Sequence, residues 1–343
     1  MPSRNRHVLA VVVLVSRNRH VLAVVVLVPV LAALALWAFA WPASRIAPRD
    51  LPLGVAGPPA AAAQVERQLE RHEGAFEIHR YADEAAARDA IEDRSVYGAV
   101  VVTPRGPELL TASAAGPAVA QFLQQAVAQQ AAAQGTQVET VDVVPTPAGD
   151  PRGAVLNAAV LPLALAGIAA GVVVTLLGLR GGRAALALVG ASALVGVVAA
   201  GIAHSWLGAL GGSWWTEAGA LALSTLAVGG AVAGLAALIG PAGTGLGAAL
   251  VMLIGNPFSG ATSAPQMLPE PAGAIGQWLP PGAGTSLLRS VSYFDGAAAT
   301  GPALTLTWWA ALGLGAVLLG GSLRARKAGA EPAADRRELS PVG

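Results

Sequence analysis

The feature that most constrains this chain is a set of apolar segments without a charged side chain. Five of them run for 20 residues or more, and they are 21–41, 154–179, 184–203, 218–239 and 302–323. At about 1.5 Å of rise per helical residue, each is roughly as long as the ~30 Å hydrocarbon core of a bilayer. Five such runs in one chain favour membrane-spanning helices over buried helices of a soluble protein.

A sixth apolar run, 243–258, is shorter than the others. Its 16 residues would cover about 24 Å as a helix, and it ends in Asn256-Pro257. Because proline restricts the residue before it and cannot continue a helix, this pair is expected to end the run. We count it as a membrane helix of marginal length, which predicts six transmembrane helices in all.

The distribution of charge predicts the orientation of these helices. Basic residues collect before the first run, in the turn between the second and third, and after the last. They are Arg4, Arg6, Arg17, Arg19, Arg180, Arg183, Arg324, Arg326, Lys327, Arg336 and Arg337. With six spans these segments share one side with a net charge of +8, and the other side has −7. The positive-inside rule then predicts a multi-pass protein of the cell membrane with both termini in the cytoplasm.

Residues 43–153 differ from the rest because they hold most of the acidic residues and alternate strand-like with helix-like stretches. Strands are predicted at 51–57, 76–81, 97–103, 109–113 and 137–144, and helices at 60–73, 83–93 and 117–134. Asp83 is a plausible N-cap and Gly135 a helix terminator. The predicted fold is therefore an α-helical polytopic membrane protein, with six transmembrane helices and an inserted extracytoplasmic α/β domain.

The predicted domain organisation follows from these patterns. It comprises a cytoplasmic N-terminus at 1–20, a first transmembrane helix at 21–42, the external domain at 43–153, a five-helix membrane domain at 154–323 and a cytoplasmic tail at 324–343. The N-terminus contains a tandem repeat, because 3–15 recurs unchanged at 16–28. Ala38-Phe39-Ala40 resembles a signal-peptide cleavage site, but the apolar stretch exceeds the usual 7–15 residues, so an uncleaved anchor is favoured.

Several classes of function are disfavoured by composition. The chain has no cysteine, which excludes thiolate metal sites and cysteine nucleophiles, and its net charge of +1 argues against a nucleic-acid partner. His72 and His79 lie near Glu73 and Glu77, but solvated surface is favoured over a metal site there. No catalytic constellation or phosphate-binding loop of the G-x-x-x-x-G-K-[ST] type is present. We therefore predict neither an enzyme nor a cofactor bound by this chain.

Residues 256–301 are neither a clean span nor a polar loop. Prolines at 257, 265, 269, 271, 280 and 281 exclude a long helix and leave two short pieces, 272–279 and 284–293. Both are too short to cross a bilayer, so we expect them to lie on or dip into the outer face, with Arg289 extending to the interface. An ordinary external loop is the alternative.

Within this region the chain resembles a known family. Asn256-Pro257-Phe258-Ser259-Gly260 is followed by Met267-Leu268-Pro269, Trp278-Leu279-Pro280-Pro281-Gly282 and Leu288-Arg289, and 83–102 ends in an apolar strand. These motifs and the helix plan resemble the permease subunits of type-2 ABC exporters, close to phage-infection-protein-like membrane proteins. The candidate outer-gate segment suggested by this resemblance consists of Asn256, Pro257, Ser259, Gly260, Pro269, Trp278, Pro280, Pro281 and Arg289.

The resemblance implies a transport function that this chain would not perform alone. Such permeases work as dimers, here a homo- or heterodimer in contact with membrane lipid, and pair with a separate nucleotide-binding ATPase subunit that binds ATP. Arg180 and Arg183 are the candidate cytoplasmic coupling residues. The expected function is outward movement of a hydrophobic or lipid-like substrate. The alternative is a non-transporting membrane scaffold or receptor whose external domain binds a partner.

Overall fold

The computed structural model describes residues 3–135 and 137–338, and it consists mostly of helices with one small mixed sheet. Met1, Pro2 and 339–343, which belong to the predicted cytoplasmic segments, lie outside the described residues. Five helices in the described chain are long and apolar enough to cross a membrane. Their candidate spans are Val21–Ala43, Ala154–Leu176, Gly181–Trp206, Trp214–Ile239 and Thr300–Leu323.

The sheet is built from five short strands. They are β1 (Leu51–Ala56), β2 (Phe76–Tyr81), β3 (Gly98–Thr103), β4 (Gly106–Thr111) and β5 (Glu139–Asp142). The strand order is β2-β1-β3-β4-β5, and only the β3–β4 hairpin is antiparallel. The accompanying helices are α2 (Pro59–Leu69), α3 (Glu84–Glu92) and α4 (Pro117–Gln134). Leu51, Leu53, Leu109 and Leu110 are fully buried or nearly so in its core.

Local signals explain why these helices begin and end where they do. Asp83 accepts a hydrogen bond from the backbone N–H of Ala86 at 2.9 Å and caps α3. Gly135 adopts φ +64° at the end of α4, a conformation that glycine reaches without steric cost. The predicted helix at 60–73 was too long, because α2 ends at Leu69 and the chain then turns through Gly74 at φ +70° into β2.

The remaining helices form a bundle. They are α1 (Ser3–Ala43), α5 (Ala154–Leu176), α6 (Gly181–Ala200), α7 (Trp214–Ile239), α8 (Pro241–Ala249), α9 (Ala272–Gln277), α10 (Pro280–Tyr293) and α11 (Thr300–Glu338). A π-helical turn extends α6 through Gly201–Trp206, and another extends α8 through Leu250–Gly255. α1 incorporates the described part of the repeated N-terminus and continues into the first apolar run.

Helix α7 lies at the centre of the bundle and packs against α5, α6 and α11. Glycines allow these close contacts: a Cβ on Gly196 of α6 would lie 2.3 Å from the carbonyl oxygen of Ala218. A Cβ on Gly313 of α11 would lie 2.3 Å from the carbonyl carbon of Gly230. Paired small residues let neighbouring backbones approach in this way. Gly230 packs in this way against α11, whereas Gly208 occupies a turn at φ +60°.

The bundle has two distinct ends. At the sheet end, defined by the sheet and 256–301, Ala47 N–H donates to Met267 O at 3.1 Å and Tyr293 Oη donates to Ala209 O at 2.8 Å. At the turn end, defined by 178–183, 240–241 and 320–321, a Cβ on Gly321 would lie 2.7 Å from the backbone nitrogen of Gly181. The sheet and the arginine-containing turn therefore lie at opposite ends.

The number of spans is the main point on which structure and sequence differ. α8 and its π-helical turn cover Pro241–Gly255, a shorter apolar helix of about 22 Å. It runs from the turn end beside α7 towards the sheet end, where Asn256 and Pro257 begin a turn. Five helices of the described chain are therefore candidate spans, and a sixth crossing by α8 remains a prediction.

Candidate functional site at the sheet end

Residues 256–293 form a compact, largely buried layer between the sheet and the helix bundle. Ser259 Oγ donates to Asn256 O at 2.8 Å and fixes the turn that follows α8. The carbonyl of Ser259 accepts a hydrogen bond from Gln277 Nε2 at 3.0 Å, which joins this turn to α9. The segment is therefore integrated into the fold, which excludes the alternative of an ordinary external loop.

Close backbone contacts at glycines hold this layer together. A Cβ on Gly276 would lie 1.6 Å from Phe258 O, and one on Gly273 would lie 2.1 Å from Pro265 O. Gly260 has φ +68°, and a Cβ there would lie 2.7 Å from the backbone nitrogen of Pro265. Since no side chain fits at such distances, the segment requires glycine at these positions. Of the three, only Gly260 was selected from the sequence.

Two of the prolines begin a helix, although the sequence predicted that they would lie outside one. Pro280 and Pro281 occupy the first turn of α10, which begins there instead of at residue 284. Proline is compatible with the first helical turn because the N–H groups there have no helical acceptor. Pro269 accepts a hydrogen bond from Ala272 N–H at 2.8 Å and precedes α9, and Trp278 ends that helix with its indole 75% exposed.

The expectation for Arg289 was wrong. Its side chain does not extend to an interface but is only 3% exposed, and Nη2 donates to Ala261 O at 3.2 Å. It lies on α10, most of whose residues are buried, and this helix packs against α7, α11 and α5. The guanidinium is therefore enclosed in the layer that separates the sheet from the bundle.

A second arginine approaches α10 from the sheet side. Arg94 follows α3 in a left-handed conformation at φ +61°, and Nη1 donates to Ser286 O at 3.1 Å and to Ser290 Oγ. Its Cζ lies 5.3 Å from the centre of the Phe294 ring, within the range of a cation–π contact. Sequence analysis missed Arg94, because the signal is a charge in a surface-like stretch whose partners lie almost 200 residues away.

Arg94 and Arg289 both line a cavity of about 1090 Å³. Its walls come from the sheet domain, the layer at 265–289 and α11. The lining includes Tyr97, Gln266, Gln277, Trp278, Ser286, Leu304, Trp308 and Leu312. Tyr97 Oη donates to Gln266 Oε1 at 2.9 Å and Ser286 Oγ donates to Gln277 Oε1 at 2.6 Å. Side chains from separate elements thus enclose one chamber with polar and apolar walls.

A buried carboxylate at the same end also escaped the sequence analysis. Glu217, in the first turn of α7, is fully buried. It accepts a hydrogen bond from Gly212 N–H at 2.8 Å and lies 2.7 Å from Nδ1 of His204. These contacts stabilise the connection between α6 and α7, so both residues have a structural role.

The other predicted residues lie apart from this site. Arg180 and Arg183 are exposed at the turn end, and neither forms an ion pair within the described part of the chain. His79 pairs only with Glu77, at 3.5 Å on an exposed strand. No group of three or more metal-ligating side chains occurs among the described residues.

Comparison with known families provides the remaining evidence. Residues 19–179 match the model of the ABC-2 family transporter protein, a stretch that includes most of α1, the whole sheet and α5. No curated protein and no solved structure gives a significant match. Over this stretch the chain is similar to ABC-2 transporter permeases, and the match together with the apolar helices supports a multi-pass membrane component of transport. The closer resemblance to phage-infection-protein-like permeases remains a prediction.

Proposed function

We propose that this chain is the membrane permease of an ABC-type exporter that moves a hydrophobic or lipid-like substrate outward. ATP would be bound and hydrolysed by a separate subunit. The observation that carries the proposal is the ABC-2 match over 19–179, which joins the first span, the sheet and the second span in one family pattern. It favours transport over the alternative of a scaffold or receptor.

The chemistry of the bundle supports an apolar substrate. A groove of about 580 Å³ lies between α5 and α6, and every residue that lines it is apolar. Leu156, Leu163, Leu194 and Val198 are among them. Ion-coupled carriers commonly place ionisable groups within their spans, whereas the only ones within the five candidate spans are Arg183, His204 and Glu217, near helix ends. Energy from an ATPase subunit fits this composition better than proton coupling.

The turn end is the proposed contact site for that ATPase. Arg180 and Arg183 are the exposed charges of an otherwise apolar turn, and the positive-inside rule assigns this end to the cytoplasm. The sheet end would then be extracytoplasmic and both termini cytoplasmic. The apolar side chains of α1 from Val21 to Trp37 are mostly exposed, which leaves a surface for lipid or for the second subunit of a dimer.

The proposal is tested by purifying the full chain from its native cells and reconstituting it with the nucleotide-binding subunit that accompanies it. We expect ATP-dependent export of a fluorescent hydrophobic probe from proteoliposomes. Arg180→Glu together with Arg183→Glu should weaken recovery of the ATPase, whereas Arg105→Glu, which alters an exposed arginine of the β3–β4 hairpin, should not.

Two results together would overturn the proposal. The first is that no ATPase associates with the purified chain. The second is that deletion of the protein leaves cellular export of hydrophobic compounds unchanged. That combination would favour the scaffold or receptor function, in which the sheet domain alone binds a partner.

A further inference from the structure

Two cations, the buried Arg289 and the half-buried Arg94, face the same chamber without a counter-ion among the described residues. Neither Arg94 nor Arg289 forms an ion pair with a carboxylate of the described residues. The acidic side chains found in ion pairs elsewhere are Glu66, Glu77, Glu84, Glu108 and Glu217. Burying a charge is costly unless it is paired, so two uncompensated guanidinium groups at one cavity call for an anion.

Both guanidinium groups are taken as charged at neutral pH, because arginine keeps its proton in proteins. Burial lowers the pKa of Arg94 to about 10, and the nearby charge of Arg289 contributes to the same shift. Burial also lowers the pKa of Arg289, against the opposite influence of Tyr97 and Tyr293. No carboxylate contributes to either shift. Since a pKa of about 10 lies well above neutrality, the cavity contains positive charge under physiological conditions.

The hydrogen-bonding capacity of these arginines is only partly used. A guanidinium offers five N–H donors. Among the described residues, Arg289 donates one hydrogen bond, to Ala261 O, and Arg94 donates only through Nη1, to Ser286 O and Ser290 Oγ. The remaining donors suit a phosphate or carboxylate group, which guanidinium binds with matching geometry.

The opposite wall of the chamber is apolar and belongs to a membrane span. Leu304, Trp308 and Leu312 of α11 line it at intervals of four residues, which places them along one helix face. Their exposed fractions are 64%, 66% and 52%, and all three lie within the candidate span Thr300–Leu323. The cavity is therefore continuous with the exposed apolar face of a candidate membrane span.

We propose that this chamber is a binding site for an anionic lipid of the surrounding bilayer. Its phosphate headgroup would lie between Arg94 and Arg289, and an acyl chain would follow Leu304, Trp308 and Leu312. The apolar wall favours a lipid over a water-soluble anion, because a free anion would gain nothing from these side chains. This site goes beyond the proposed function: equilibrium binding of lipid requires neither an ATPase nor transport.

The test is native mass spectrometry of the delipidated full chain, titrated with phosphatidylglycerol and with phosphatidylcholine of the same acyl chains. We expect phosphatidylglycerol to bind about tenfold more tightly, because the choline cation of phosphatidylcholine offsets the attraction between its phosphate and the two guanidinium groups. Arg289→Gln and Arg94→Gln should each abolish this preference. The matched control, Arg67→Gln with Arg105→Gln, removes two exposed arginines of the sheet domain that lie outside the chamber and should retain it.

A second variant covers the case in which loss of a buried arginine prevents folding. Trp308→Ala removes an exposed side chain, so the fold should persist. This substitution should weaken the binding of both lipids while leaving the ratio of their affinities unchanged. Trp215→Ala, at a tryptophan 75% exposed on α7, is its control and should change neither.

The proposal is overturned if the two lipids bind equally, or if folded Arg289→Gln and Arg94→Gln proteins keep the preference. Binding of glycerol phosphate as tight as that of phosphatidylglycerol would equally overturn it, because the site would then take a soluble anion. Failure of ATP-dependent export with the lipid preference intact would count against the proposed function alone.

Discussion

Glu217 illustrates how a single buried carboxylate can hold two spans together. Its partners, Gly212 N–H and His204 Nδ1, lie 5 and 13 residues away along the chain. We expect Glu217→Ala to destabilise the protein by about 1–3 kcal/mol, because it removes the buried carboxylate that accepts from the part-buried Gly212 N–H and contacts His204. Thermal unfolding in detergent measures this, and Glu217→Gln should lose less because its amide oxygen still accepts from Gly212. Equal losses from the two variants would show that the hydrogen bond from Gly212 contributes nothing to stability.

Acid sensitivity is expected at Glu66, which accepts from Nε and Nη2 of Arg80. The hydrogen bond from Arg80 lowers the pKa of Glu66 below its usual 4.5. The stabilisation is therefore present above pH 4.5 and is lost as the pH falls through the lowered pKa. The Tm difference between wild type and Glu66→Gln should shrink from pH 7 to pH 3.5. Glu70→Gln, an exposed neighbour, should show no such trend, and a constant difference for Glu66→Gln would exclude this linkage.

At the residue scale, the sequence indicated which residues belong to the candidate segment but not whether their side chains are buried. Arg289 was selected as part of the segment, yet its burial depends on α5, α7 and α11, which no local pattern reveals. Arg94 was missed for the same reason, since its partners on α10 are brought close only by the fold. Gly276 and Gly273 could have been noticed only as glycines in a proline-rich stretch.

At the scale of elements, the contact between α7 and α11 provides a matched pair of substitutions. A Cβ at Gly313 would lie 2.3 Å from the backbone of Gly230, whereas Gly315 has no neighbour within 4 Å. Gly313→Ala should therefore cost about 1–3 kcal/mol through overpacking, and Gly315→Ala should be neutral or slightly stabilising. Thermal unfolding of the two variants side by side checks this, and an unaffected Gly313→Ala would mean that the helices separate easily.

Elements with strong local signals were predicted closely. β2 and α4 have the predicted limits, because each is marked by a local sequence signal. In β2 the signal is the alternation of apolar and polar residues, and in α4 it is Gly135 at the end of the helix. The strand order, with β1 between β2 and β3, was beyond local patterns because it depends on pairing between distant segments. α10 begins four residues earlier than expected because proline was treated only as a helix breaker.

At the scale of the whole molecule, orientation is the central prediction. Cysteine at Ala60 should react with a membrane-impermeant maleimide in intact cells, and cysteine at Gly182 should not. Both positions are exposed, and the chain has no native cysteine to interfere. Arg180→Glu with Arg183→Glu should make part of the Gly182→Cys population reactive, whereas Arg105→Glu should not. Labelling of Gly182→Cys in an otherwise unaltered chain would show that the topology is the opposite of the predicted one.

The reversal between α7 and α8 has a mechanical consequence. One residue, Gly240 at φ +73°, separates the end of α7 from Pro241, and α8 leads directly to Asn256. Because the connection is a single residue, we expect a displacement of the chain at Gly240 to be transmitted along α8 to the layer beneath the sheet. Inserting two glycines after Gly240 should therefore uncouple ATP hydrolysis from export while leaving lipid binding in the chamber unchanged.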